Sequence, residues 1–178
     1  MIDTDHLRLW PLGDADAEAL HHLFTDPDVR RHLWDDQVIP REQTMEVIET
    51  SQRRFAERGF GLWGVHSRDA EALIGFCGYW FFRDPPELEL LYGIAPAQWG
   101  RGYATEAARA LVRYGFEQLQ LDTVRGSADA PNVASVRVLE KAGLQFEKRL
   151  TVGGRDTVFY HLRRDAFQKD DSLYALNG

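Results

Sequence analysis

Apolar and polar positions alternate through residues 6–10 (His-Leu-Arg-Leu-Trp), which predicts a short opening strand. Asp14 is placed to cap a helix reaching about Phe24, with Leu20, Leu23 and Phe24 on its apolar stripe. Asp26-Pro27 predicts a second helix start, because Asp caps and Pro suits the first helical position. A polar loop over residues 35–40 precedes a helix over 42–57, stopped by Gly59. Residues 60–66 and 73–82 read as strands around the turn Ser67-Arg68-Asp69. The turn Arg83-Asp84-Pro85-Pro86 leads to a strand over 87–94. The clearest helix follows residue 102: Ala104, Ala107, Ala108, Leu111, Val112 and Leu119 share one face, and Glu106, Arg109, Arg113 and Glu117 the other. A strand over 123–128, a helix over 133–142 and a hairpin of 144–150 with 157–163 around Gly153-Gly154 complete the pattern. Strands with interspersed helices give an α/β (α+β) domain.

Composition narrows the function classes. A chain of 178 residues with 44% hydrophobic and 28% charged residues is an ordinary single globular domain. No apolar run approaches the ~20 residues that span a bilayer, and the acidic start lacks a leader pattern, so no membrane association and a cytoplasmic location are expected. The lone Cys77, set among Phe76, Tyr79 and Trp80, reads as a buried inert thiol. A net charge of −7 argues against nucleic acid as a partner. It favours cationic substrates weakly, or simply solubility. The six histidines lack metal-ligand spacing, so no metal is expected. His32, near Trp34, reads on its own as a surface residue.

The most informative stretch is Trp99-Gly100-Arg101-Gly102-Tyr103-Ala104-Thr105-Glu106-Ala107, where a strand hands over to a helix. Two glycines permit a tight turn that a ligand can approach. The next amides, at a helix mouth, are unpaired and partly positive, which is a seat for phosphate. A dinucleotide fingerprint fails because its third glycine position is Thr105, and a Walker loop fails for want of Gly-Lys-Ser/Thr. A plain strand-to-helix turn remains the alternative.

That stretch with Pro96-Ala97-Gln98 before it, followed by Asn132-Val133-Ala134-Ser135 and Leu139-Glu140-Lys141-Ala142-Gly143, resembles the GNAT acetyltransferase superfamily. The opening Thr4-Asp5-His6-Leu7-Arg8-Leu9-Trp10-Pro11-Leu12 and Asp26-Pro27-Asp28-Val29 resemble its RimJ/RimL branch. The likeness spans about residues 4–165 and leaves 166–178 as a polar tail without a clear packing role. It implies a mixed, mostly antiparallel twisted sheet of about seven strands flanked by helices, splayed between the fourth and fifth. It also implies acetyl-CoA as co-substrate, an amine acceptor (a small molecule or a peptide N-terminus), and a monomer or homodimer.

By the same resemblance, the amides around Trp99, Gly100, Arg101, Gly102, Tyr103, Ala104 and Thr105 hold a diphosphate. The strand end at Tyr92, Ile94 and Ala95 pairs with the pantetheine arm, and Asn132 and Ser135 lie near that arm's far end. Asn132 is equally an N-cap, and Ser135 a solvated helix residue. Ala97 stands where the superfamily often has Gln or Arg. Leu139 stands where many members have a tyrosine acid, which leaves Ser135 as the branch's candidate acid.

Acetyl transfer to an amine needs a neutral nucleophile, although a free α-amine titrates near pH 8 and Lys near 10.4. It also needs donors for the carbonyl oxygen and an exit for the thiolate. Glu89 aligns with a carboxylate of the branch. Flanked by Leu88, Leu90 and Leu91, it is a candidate base tuned by desolvation; the competing reading puts Glu87 and Glu89 on a solvent face. The N–H of Ile94 or Ala95 is the candidate oxyanion donor. The expected function is N-acetyl transfer by direct attack in a ternary complex; the alternative is an acyl-CoA-binding sensor without turnover.

Overall fold

The computed structural model describes residues 1–169 and the backbone of a last short strand, Tyr174–Leu176. Its strands are β1 (Ile2–Thr4), β2 (Leu7–Pro11), β3 (Leu62–Ser67), β4 (Ala70–Phe82), β5 (Glu87–Ile94), β6 (Thr123–Asp129), β7 (Gln145–Val152), β8 (Arg155–Arg163) and β9 (Tyr174–Leu176). Its helices are α1 (Ala17–Thr25), α2 (Pro27–Arg30), α3 (Arg41–Arg58), α4 (Tyr103–Glu117) and α5 (Val133–Lys141). Among the described residues no helix is long and apolar enough to cross a membrane.

The strands form two sheets, ordered β5-β4-β3-β2-β1-β9 and β6-β8-β7. Every ladder among the described residues is antiparallel. The break falls at the expected splay, between 87–94 and 123–129, but it is complete. β5 and β6 are the facing edge strands of the two sheets that the splay leaves. β1 and β9 extend the first sheet beyond β2, with β9 at its edge; the alternation did not reveal them, because three residues are too few to show a period.

β5 is the hinge of the architecture. Leu88, Leu90, Tyr92 and Ile94 pack on one side with α4, α5 and the second sheet; Leu91 and Ala95 pack on the other with α1, α2 and α3. Helix α4 lies close on the sheet because its inner face is small: Ala107, Ala108 and Ala110 are buried beside Leu111. The Tyr79 hydroxyl donates to the Leu111 carbonyl at 2.8 Å, satisfying a buried phenol that would otherwise cost about 1–3 kcal/mol.

Three local expectations need correction. Asp14 does not cap α1. It opens a short 3-10 turn, and the Asp16 carboxylate instead accepts the Gly13 N–H at 2.9 Å. Glu106 is not on an open face. It accepts from the Thr4 hydroxyl at 2.5 Å and the His6 N–H at 2.8 Å, so it pins the β1–β2 turn to α4. The tail does pack where it is described: the Phe167 ring lies 4.8 Å from that of Phe116, and β9 pairs with β1. Residues 170–173 and 177–178 of that tail lie outside the described residues.

Candidate active site

The two edges β5 and β6 diverge, and the candidate residues collect along that seam. At its upper end, Gly100 and Gly102 adopt φ of 78° and 84°, a left-handed conformation that glycine takes without strain. A Cβ added at either would meet no atom within 4 Å, so the turn faces open space. The first intrahelical bond of α4 runs from Glu106 N–H to Gly102 O at 3.0 Å. The amides of Tyr103, Ala104 and Thr105 precede it, and no side chain caps them. Arg101 is exposed beside them, and Trp99, 54% exposed, donates its indole N–H to the Ile94 carbonyl at 2.7 Å. Tyr103 turns inward and packs in the core.

The edge of β5 continues this surface. Ala95 donates its N–H to Ile74 O at 2.8 Å. Alternation along an antiparallel ladder then turns the N–H and C=O of Ile94, Tyr92 and Leu90 away from β4 and toward the seam. Of the two amides expected to serve an oxyanion, Ala95 is therefore committed within the sheet and Ile94 faces the opening. These features fit a diphosphate followed by an extended amide-bearing arm: bare helix-mouth donors, an unobstructed turn, and a strand edge whose backbone groups point out of the ladder, with the Ile94 carbonyl already taken by Trp99.

Across the seam, the Tyr92 hydroxyl lies 2.9 Å from both the Ser135 carbonyl, to which it donates, and the Ser135 Oγ. Burial pushes the Tyr92 phenol well above its ordinary range, and the Ser135 bond offsets this only in part. Asn132 caps α5, its Oδ1 accepting the Ser135 N–H at 3.1 Å, and its amide nitrogen stays available. Ser135 is thus fixed by two partners rather than simply solvated. Leu139 is fully buried in the core, as its type dictates.

Glu89 sits lower on the seam, on the face opposite Tyr92, and is 2% exposed. The solvent-face reading holds only for Glu87, whose side chain is 43% exposed. Glu89 does not meet apolar walls alone, as its leucine neighbours suggested. Arg83 Nη1 bonds its Oε1, and the Ser127 hydroxyl donates to its Oε2 at 2.6 Å. Arg83 Nη2 also donates to Ser127 Oγ at 2.9 Å, and its guanidinium stacks 4.5 Å above the Phe159 ring. Arg83 therefore ties the first sheet to the second at the hairpin end, from a left-handed backbone position with φ of 67°. A buried carboxylate is tolerated because cation and hydroxyl satisfy both oxygens.

The same face carries a polar latch. Asp129 accepts from His32 Nδ1 and from Arg155 Nη1, each at 2.9 Å, and Arg155 reaches Asp35 at 2.8 Å and the Arg31 carbonyl at 3.1 Å. These bonds fold the loop after α2 onto β6 and β8. Above it, Trp34 Nε1 and Arg54 Nη1 are buried without a protein partner, and Arg54 stacks 4.0 Å over Trp80, the cross-strand neighbour of Glu89.

Arg83, Ser127, Phe159, Asp129 and Arg155 were not singled out from the sequence. The strand alternation Thr123, Arg125, Ser127, Asp129 does place Ser127 and Asp129 on one face, the only signal available. Arg83 gave none, since a turn residue's reach depends on the fold. Cys77 is fully buried and its thiol is pushed up by burial, in line with an inert core residue.

Comparison with known proteins places this geometry. The family model described as an acetyltransferase (GNAT) domain matches residues 6–145. A Bacillus subtilis protein called the uncharacterized N-acetyltransferase YoaA is 32% identical over 148 residues, covering 83% of this chain and 84% of its own. The crystal structure of an acetyltransferase from Agrobacterium tumefaciens superposes with a TM-score of 0.79 at 25% identity, covering 91% of this chain and 93% of that one. RimL, a ribosomal L7/L12 alpha-N-protein acetyltransferase solved in complex with coenzyme A, shares the fold with a TM-score of 0.76 at 16% identity, covering 92% and 97%.

Proposed function

The chain belongs to the GNAT acetyltransferase family and is an acetyl-CoA-dependent acyltransferase, and from that premise we propose that it acetylates a primary amine, with Glu89 as the proton acceptor. The observation that carries this reading is the buried Glu89 carboxylate on the seam, below a strand edge whose backbone groups point into the same opening.

When bound, acetyl-CoA supplies the activated acetyl group as a thioester. The residues divide the remaining tasks along the seam. The amides of Gly102 to Thr105 hold the diphosphate, with Arg101 adding a charge-assisted contact. Trp99 and Gly100 shape the turn. The backbone edge at Tyr92 and Ile94 aligns the extended arm, and the Ile94 N–H faces the acyl oxygen as negative charge develops there. Asn132 and Ser135 lie beside the arm's far end. The Ser135 hydroxyl, placed by Tyr92, turns its proton from the Tyr92 oxygen to the departing sulfur; a thiol of ordinary acidity needs only such a hydrogen bond to leave. Glu89 takes the proton that the amine must lose before or during attack.

The acceptor approaches on the face carrying Trp34, Trp80 and the latch around Asp129. We assign the chain to the RimJ/RimL-like branch, with acceptors ranging from peptide N-termini to small-molecule amines. The test is acceptor-dependent thiol release from acetyl-CoA across a panel of amines and peptides. Turnover with at least one amine supports the reading. Tight acetyl-CoA binding with no acceptor-dependent thiol release refutes it and returns the sensor.

A further inference from the structure

Glu89 is 2% exposed, so its carboxylate does not reach the cleft directly. Both of its oxygens are taken: Oε1 by Arg83 and Oε2 by Ser127 at 2.6 Å. A guanidinium does not pass protons at neutral pH. The Ser127 hydroxyl does, and Ser127 is partly exposed at the seam. We propose that Ser127 is a catalytic residue, the relay through which the amine's proton reaches Glu89; this rests on the proposed acetyl transfer.

The hydrogen-bond capacity of Ser127 matches the role. A hydroxyl has one donor and two acceptor sites. The donor is directed at Glu89 Oε2, and one lone pair accepts Arg83 Nη2 at 2.9 Å. One lone pair is left for the cleft, and because the remaining carboxylate lone pairs are buried with Glu89, it is the acceptor of this group that a cleft ammonium meets first. In the step, the substrate ammonium gives one proton to Ser127 Oγ as the Ser127 proton passes to Glu89 Oε2. The N–H bond breaks and the amine lone pair is freed. The serine ends as a hydroxyl, and Glu89 ends as a neutral acid. After acetyl transfer the proton returns through the same hydroxyl to water in the partly exposed cleft, and no other reactant is needed.

Arg83 is the positioning residue of this group. Its two Nη atoms bond Glu89 and Ser127 together, and the Phe159 ring beneath fixes the guanidinium plane. It orders the hydroxyl proton toward the carboxylate by occupying the competing direction.

The experiment compares the parent with Ser127→Ala and Ser127→Thr, using acetyl-CoA and an amine that the parent turns over. The relay predicts that kcat falls about 100-fold in Ser127→Ala, the size expected for a lost proton-transfer group, with acetyl-CoA affinity unchanged. The threonine, which keeps the hydroxyl, recovers kcat to within about tenfold and restores the parent's pH–rate profile. A second readout needs no turnover: in the free protein, the infrared band assigned to Glu89 by its loss in Glu89→Gln shifts in Ser127→Ala. An alanine variant with the parent's kcat and pH profile, a threonine variant that fails to recover, or an unshifted band each overturns the relay alone. A parent chain without turnover on any amine overturns the acetyl-transfer reading, and the relay with it.

Discussion

The Tyr92 hydroxyl sits 2.9 Å from the Oγ of Ser135 and equally 2.9 Å from its carbonyl, joining β5 to the first turn of α5 across the gap where no ladder forms. Backbone pairing ends at this gap, and side chains take over the work of holding the sheets at a fixed distance. Replacing Tyr92 with Phe keeps the ring and removes the link. The expected outcome is a stability loss of about 1 kcal/mol by denaturant unfolding. Turnover should also fall, because the Ser135 hydroxyl loses its partner. A kcat equal to the parent's would remove Tyr92 and Ser135 as a coupled pair.

Gly102→Val tests the diphosphate seat. The φ of 84° is strained for valine, and the added side chain enters the open space before the α4 mouth. Acetyl-CoA affinity by calorimetry should drop at least tenfold, in line with the ~1–3 kcal/mol cost of a forced left-handed backbone. The circular dichroism spectrum should stay that of the parent. Retained affinity would rule out this turn as the seat.

The pairing of Arg83 with Glu89 makes a double-mutant cycle informative. Arg83→Met leaves a buried carboxylate without its cation and should cost about 3 kcal/mol of stability. Glu89→Gln should lower turnover about 100-fold with acetyl-CoA affinity unchanged. Combining the two should restore much of the stability but none of the turnover. Additive stability losses would show that the two groups do not interact.

High pH should weaken the fold in two stages. Burial raises both the Cys77 thiol and the Tyr92 phenol, so the folded state holds these protons more tightly than the unfolded chain. Their contribution is complete below the unfolded pKa values and is lost as pH climbs past them, from about 8.5 for Cys77 and about 10 for Tyr92. Denaturant midpoints should decline from about pH 8.5 in the parent. Cys77→Ala should delay the onset and Tyr92→Phe should flatten the later part. Identical slopes in all three proteins would contradict this assignment.

Asp129 joins His32 and Arg155 and so holds the loop after α2 on the second sheet. Asp129→Asn should speed amide hydrogen exchange in residues 31–36 and raise KM for the amine, with acetyl-CoA affinity unaltered. Unchanged exchange in that loop would show that packing, not the latch, holds it.

How much of this was legible in the chain depends on the range of the interaction. The strand over 87–94, the helix after Gly102 and the Asn132 cap are set by neighbours within a few residues, and each stands where its pattern placed it. Glu89 was marked by type and place alone. Its partners were not: Arg83 lies six residues away and Ser127 thirty-eight, and neither separation has a period that a sequence displays. Glu106 misled for the same reason. On α4 alone it belongs to the polar stripe, yet the fold brings Thr4 and His6, about a hundred residues earlier, against its carboxylate.

By itself, the sequence determined the elements, the glycine turn before a helix mouth and the inward set of small residues on α4. Backbone sterics and hydrophobic periodicity act locally, and the residues that obey them are adjacent. Only the tertiary structure decided how far the splay opens between β5 and β6, that Ala95 spends its N–H inside the sheet while Ile94 does not, and that Glu89 meets a guanidinium and a hydroxyl. Those outcomes follow from how two twisted sheets and a helix fill space together, and the contacts that result join residues the chain holds far apart.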